Sequence, residues 1–248
     1  MKTLKLAVLI DADNVPYAQV NEMLQEIAKY GTPTTKRIYG DWTRLPDKGW
    51  KNVLLEHAIT PIQQYSYTSG KNATDSALII DAMDILYSEK VDGFCIVSSD
   101  SDFTKLATRL RESGMLVIGI GERKTPNPFI VACDRFIYLE MLDHPKKPKP
   151  SRIPYESKRK DEKSTVKIDE ATLKMIEATV DDLSDDDGWA FLGDVGNLIV
   201  RKKPDFDPRN YGFLKLTPLL KSLRDLFEID ERELDGKKIK HVYIRLKG

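Results

Sequence analysis

Cysteine is nearly absent. The 248-residue chain has two, Cys95 and Cys133, far apart and without a second Cys or a His at ligand spacing. That excludes a disulfide framework and a thiolate zinc site. Each lies in an apolar stretch and reads as a small buried hydrophobe. Histidine is as scarce: His57, His144 and His241 show no partner spacing. No apolar run approaches the roughly 20 residues a membrane span needs, so no membrane partner is expected. The start, Met1-Lys2-Thr3-Leu4-Lys5, leads at once into a short strand-like run and then into acids. It lacks the long apolar stretch and cleavage site of a secretory signal, and a cytoplasmic location is expected. Net charge is missing too, at a formal zero. Its distribution is uneven. Residues 145–167 hold nine Lys/Arg against three Asp/Glu, a net +6, while 1–144 and 168–248 each carry −3. Such a basic strap is either solvated connector charge or a feature that attracts a polyanion. With 41% hydrophobic and 31% charged residues, the chain has the makings of a packed globular protein.

What is present is an alternation of apolar runs and amphipathic stretches. Strands are expected over 4–10, 34–39, 59–65, 93–98, 115–120 and 135–139. Helices are expected over 16–30, 47–58, 73–89, 101–113 and 129–133. Strand–helix alternation with all-apolar strands predicts an α/β fold, a parallel sheet covered on both faces. Residues 145–167 contain Pro145, Pro148, Pro150 and Pro154 among Lys, Arg and Ser, the composition of an extended linker. Beyond it, helical periodicity over 169–183, 192–201 and 211–223 precedes two strand patterns around Asp235-Gly236-Lys237-Lys238. Three helices and a hairpin predict a smaller winged-helix unit. The expected domains are 1–144, a basic linker at 145–167, and 168–248.

Chemistry concentrates at the strand ends. The first strand ends in Leu9-Ile10-Asp11-Ala12-Asp13-Asn14, and the fourth in Val97-Ser98-Ser99-Asp100-Ser101-Asp102-Phe103. The helix between strands three and four opens with Lys71-Asn72-Ala73-Thr74-Asp75 and continues to Asp81. In a parallel sheet, strands one and four end on one rim. The helix that feeds strand four starts near that rim. Asp11, Asp75 and Asp100 are therefore expected to converge, with Asp102 beside them. Each alone could be a helix cap or a first-turn carboxylate. Together they repel and raise one another's pKa values unless a cation joins them. Oxygen donors without Cys or His favour Mg²⁺ or Mn²⁺ over Zn²⁺, and such a site suits phosphodiester hydrolysis. Asn14 could orient Asp11 or cap the next helix. Ser98 and Ser99 could bind phosphate or pair with turn backbone. Lys71, Arg123 and Lys124 are candidate contacts for a substrate phosphate near the rim, and Arg37, Tyr39, Trp42 and Arg44 could line a groove. Asp84 and Asp134 read as structural.

These motifs, in this order, resemble the NYN domain, a branch of the PIN-like nucleases, over about residues 4–140. The resemblance implies a PIN-like three-layer fold and a Mg²⁺- or Mn²⁺-dependent ribonuclease. It assigns Asp11, Asp75, Asp100 and Asp102 as catalytic, metal-holding residues, with Asn14, Asp81, Asp13 and Ser99 supporting. Asp13 stands where the family more commonly has glycine or another small residue. Trp189, Leu192 to Leu198, Phe206-Asp207-Pro208-Arg209-Asn210-Tyr211-Gly212-Phe213 and Lys215-Leu216 with Leu219-Leu220 resemble the OST-HTH/LOTUS domain. That family is associated with RNA binding and, in some eukaryotic members, with helicase partners. A protein partner through this domain is therefore an expectation of the resemblance. Arg209 and Tyr211 offer a guanidinium and a ring for single-stranded bases; the alternative for Tyr211, Phe206, Phe213 and Trp189 is core packing.

The leading expectation is an endonucleolytic ribonuclease with a C-terminal RNA-binding domain. Two alternatives stand beside it. One is an RNA-binding regulator without catalysis. The other is a phosphatase, since Asp11-Ala12-Asp13 also resembles the nucleophile motif of haloacid-dehalogenase-type phosphatases, although no cap insertion is evident and Pro16 follows. RNA target, oligomeric state and native metal are not readable from the sequence.

Overall fold

The computed structural model describes residues 3–43, 47–65, 73–142, 168–233 and 240–247. The segment 145–167, Arg44, Lys71 and the turn from Asp235 to Lys238 lie outside the described residues. Two compact units divide the chain, Met1–His144 and Pro145–Gly248.

Among the described residues, the first unit is built on six strands: β1 (Lys5–Asp11), β2 (Thr32–Gly40), β3 (Thr60–Gln63), β4 (Gly93–Val97), β5 (Leu116–Gly121) and β6 (Arg135–Tyr138). All pair in parallel, in the order β3-β2-β1-β4-β5-β6. After Lys5 every residue of β1 is buried, as a strand with helices on both faces requires. Alternation divides its side chains. Ala7 and Leu9 join the layer of α3 (Ala73–Tyr87), α4 (Thr104–Glu112) and α5 (Asn127–Ala132). Leu6, Val8 and Ile10 join the layer of α1 (Val20–Ile27) and α2 (Asp47–His57). Each Leu, Val or Ile among them, fully withdrawn from water, contributes about 1.5–3 kcal/mol. The result is the expected helix–sheet–helix sandwich.

The strand order places the site. From β1 the chain steps outward through β2 to β3. Helix α3 then carries it back across β1, and β4 pairs on the other side. Neighbouring strands β1 and β4 thus feed connections that leave in opposite directions. A crevice opens at such a switch point, beyond the carboxyl ends of the strands. The register Ile10↔Val97 sets Asp11 beside Ser98, with Tyr39 of β2 on its other side.

The second unit holds α6 (Glu170–Asp182), α7 (Leu192–Lys202) and α8 (Leu216–Lys221). It also has an antiparallel sheet in the order β7 (Ala190–Phe191), β9 (Lys240–Leu246), β8 (Phe227–Glu233). Asp169 caps α6, accepting from the Thr172 amide at 2.8 Å and its hydroxyl at 2.7 Å. Ile176, Val195, Ile199, Leu219, Leu220 and Ile244 make the core. One expected helix is corrected. The periodicity of 211–223 suggests a single helix, but a 3-10 turn over Pro208–Tyr211 ends at Gly212 in a left-handed conformation (φ 82°). The helix begins anew at Leu216.

Candidate metal centre

Asp11 closes β1 with its side chain on the α3 face, and it is only 2% exposed. Its Oδ2 accepts from Asn14 Nδ2 at 2.6 Å and from Ser98 Oγ at 2.9 Å, and Oδ1 accepts from the Asp13 amide at 3.1 Å. Burial pushes its carboxyl above the usual range, while the Ser98, Asn14 and Asp13 donors pull it back. Ser98 is itself fully buried, and its Oγ also accepts from the Asp100 amide at 3.1 Å. One hydroxyl thereby ties the end of β1 to the loop after β4. Ser99 does the same on the other side, its Oγ accepting from the Glu122 amide at 2.9 Å.

That loop carries Asp100 and Asp102. Asp100 caps the 3-10 turn Ser101–Phe103, its Oδ1 accepting from the Asp102 amide at 2.9 Å. Phe103 is buried under the turn and anchors it in the core. Asp75 sits in the first turn of α3, at the same rim. One carboxylate oxygen from each of Asp75, Asp100 and Asp102 falls within 4.8 Å of the others. Asp75 is pushed up to about 6, first by burial and then by the charges of Asp11, Asp100, Asp102 and Asp13. Every one of those influences penalises the carboxylate, which marks a place where added positive charge would be stabilising.

These observations fit a hard divalent cation: three oxygen donors from two chain segments, half-buried to exposed, in mutual repulsion.

A family model for the NYN domain matches residues 5–140. The chain belongs to the NYN domain family. A second model, for the OST-HTH/LOTUS domain, matches residues 165–239. An NYN domain points to a nuclease, and an OST-HTH/LOTUS domain points to RNA binding. Among solved structures, the chain is similar to a protein of unknown function from Vibrio parahaemolyticus, at 21% identity and a TM-score of 0.48. That match covers 56% of this chain and 96% of the other. It is also similar to an uncharacterized protein from Nitrosomonas europaea, at 35% identity and a TM-score of 0.30, covering 42% of this chain and 90% of that one. No curated protein matches it.

Asp11 is not one of the three carboxylates whose oxygens lie within 4.8 Å of one another; it is close enough to raise Asp75, and its own oxygens accept from Asn14, Ser98 and the Asp13 amide. Asp81 is likewise outside the trio. Its carboxylate accepts from the Arg37 guanidinium and the Tyr39 hydroxyl across to β2. Burial and the Asp81 contact push the Tyr39 phenol up, so it stays protonated as a donor. Asp13 contributes its amide to Asp11 and its charge to Asp75.

The expected RNA contacts fare unevenly. Arg123 follows β5, its guanidinium 5.5 Å from the Tyr138 ring centre, and Lys124 pairs with Glu122; both side chains are exposed. In the OST-HTH/LOTUS unit, Tyr211 is 7% exposed and packs on Phe206 at 5.9 Å, so its ring is core rather than a free face. Arg209 is gripped by both oxygens of Asp207, at 3.0 and 2.8 Å. Ser98 is the residue that sequence reasoning undervalued. Its signal was its place at the end of the strand beside β1, one register step from Asp11.

Proposed function

We propose that this protein is a divalent-metal-dependent endoribonuclease whose NYN domain cleaves RNA at Asp75, Asp100 and Asp102. We further propose that residues 168–248 bind RNA and that the basic segment 145–167 joins the two. The observation that carries the reading is the meeting of three carboxylates at the switch-point rim, with Asp75 raised by its neighbours. Mg²⁺ or Mn²⁺ is the class of cation that this oxygen set suits; when bound it lowers the pKa of an attacking water and stabilises charge on the phosphate.

The chain's own part is positioning. Asp100 and Asp102 are fixed by their turn, Asp75 by the start of α3. Ser98 and Asn14 fix Asp11, which supplies negative charge and keeps Asp13 and Asn14 at the rim. Arg123 and Lys124, on the β5 side, offer positive charge to a flanking phosphate.

The test is cleavage of labelled linear and circular single-stranded RNA with Mn²⁺, Mg²⁺ or EDTA. Nicking of the circle in Mn²⁺, abolished by EDTA and reduced at least about 100-fold in Asp100→Asn, is the expected result. RNA binding without cleavage in any metal would replace this reading with that of a non-catalytic RNA-binding protein.

A further inference from the structure

The loop that leaves the site on the β1 side carries an aromatic ring that the acidic chemistry does not use. Tyr17 opens a 3-10 turn, Tyr17–Gln19, directly after Pro16, and it is 46% exposed. Its ring meets buried Trp50 edge to face, with centroids 6.2 Å apart and planes at 66°. Trp50 in turn meets Trp42 at 6.1 Å and 85°. Trp42 is pinned, its backbone N–H donating to Gln63 Oε1 at 2.9 Å and its indole N–H to the Ile62 carbonyl at 3.1 Å. Gly49, at φ 142°, lies so close that a Cβ there would stand 2.9–3.1 Å from three atoms along one side of the Tyr17 ring. Tyr17 is therefore held by Gly49 and Trp50 and still 46% exposed. Pro16, with φ −67°, restricts the direction in which the loop presents it.

The chain bounds its distance from Asn14, the residue that holds Asp11. Asn14 touches Asp11 Oδ2 at 2.6 Å. Tyr17 is three residues on, so the two Cα atoms are at most about 11 Å apart. We infer that Tyr17, braced by Gly49 and Trp50, is a base-stacking subsite for a nucleotide of single-stranded RNA next to the one at the acidic trio. This rests on the ribonuclease reading and adds to it a place for the strand on the β1 side, opposite Arg123 and Lys124 on the β5 side. A ring held by its neighbours and half exposed stacks any base at little cost in side-chain order, so the subsite holds register without demanding a sequence.

The test uses the full chain carrying Asp100→Asn, so that RNA is bound and not consumed. Single-stranded RNA oligonucleotides with one 2-aminopurine at each position in turn report stacking by quenching. Tyr17→Ala is expected to relieve quenching at one position and to weaken binding about 5- to 150-fold, the range for loss of one stacked base. Tyr17→Phe, which keeps the ring, restores the quenching. An abasic nucleotide at that position weakens binding to the Tyr17 chain but not to the Tyr17→Ala chain. In the cleaving enzyme the same loss falls on KM rather than kcat. A quenching pattern identical in Tyr17→Ala, or an abasic effect that does not depend on Tyr17, overturns the subsite. Failure of the ribonuclease reading shows separately, as RNA left intact by the wild-type chain in Mn²⁺.

Discussion

Asp75 shows how one side chain records the purpose of its surroundings. In an unfolded chain its carboxyl ionises near 3.8, and in the fold near 6. Between those values the metal-free fold holds a proton that the unfolded chain has lost. The stability this gives is complete below pH 4 and gone once the pH has risen through 6. Asp75→Asn removes the repulsion. Its metal-free form should be more stable than wild type at pH 7 by about 1 kcal/mol, allowing for screening of a half-exposed charge, and no different at pH 4. Denaturant melts in EDTA at the two pH values measure this. Ser98 works in the other direction. Ser98→Ala leaves buried Asp11 without one donor and the partly buried Asp100 amide without its acceptor. It should cost about 1–3 kcal/mol in the same melts, because Asp11 stays buried.

Elements were legible where burial alone dictates them. Strands β1, β4 and β5 announce themselves as buried apolar runs, while β2 and β3 are more polar and partly exposed; the acidic residues at the ends of β1 and β4 follow from the parallel arrangement. The trio was legible because a helix leading into a strand must start at that strand's far end. What the sequence hid is local. The 3-10 turns at Tyr17–Gln19 and Ser101–Phe103 have no periodicity distinct from the helices that follow them. Strand β7 is two residues long and exists only through its pairing with β9. Tyr211 and Arg209 read as a nucleic-acid pair because polar and aromatic types say nothing about burial. Folding sends the ring inward and closes the guanidinium on Asp207. Tyr211→Ala should therefore destabilise the second unit by about 3–5 kcal/mol, in the manner of a large core deletion. A calorimetric scan that shows its transition unmoved, together with weakened RNA binding, would return Tyr211 to the RNA surface.

At the scale of the whole molecule, charge is segregated along a chain whose formal net is zero. The net +6 of residues 145–167 lies between two segments of −3 each. If that stretch contacts RNA, the chain's affinity must fall steeply with salt, by about 0.7 in log K per tenfold salt for each phosphate neutralised. Replacing its nine Lys/Arg with Gln should flatten the slope by several such increments, measured by fluorescence anisotropy of a labelled single strand from 50 to 300 mM salt. An unchanged slope would make it a connector only. The acidic body then has to attract RNA through something other than its own charge, and a cation at the trio serves both attraction and chemistry. Titration of Mn²⁺ into the metal-free chain at pH 7, followed by the loss of the free-ion electron paramagnetic resonance signal, tests that most directly. Uptake of Mn²⁺ that disappears in both Asp75→Asn and Asp100→Asn is the predicted result. Uptake unaffected by either substitution, or none in the wild-type chain, would contradict it.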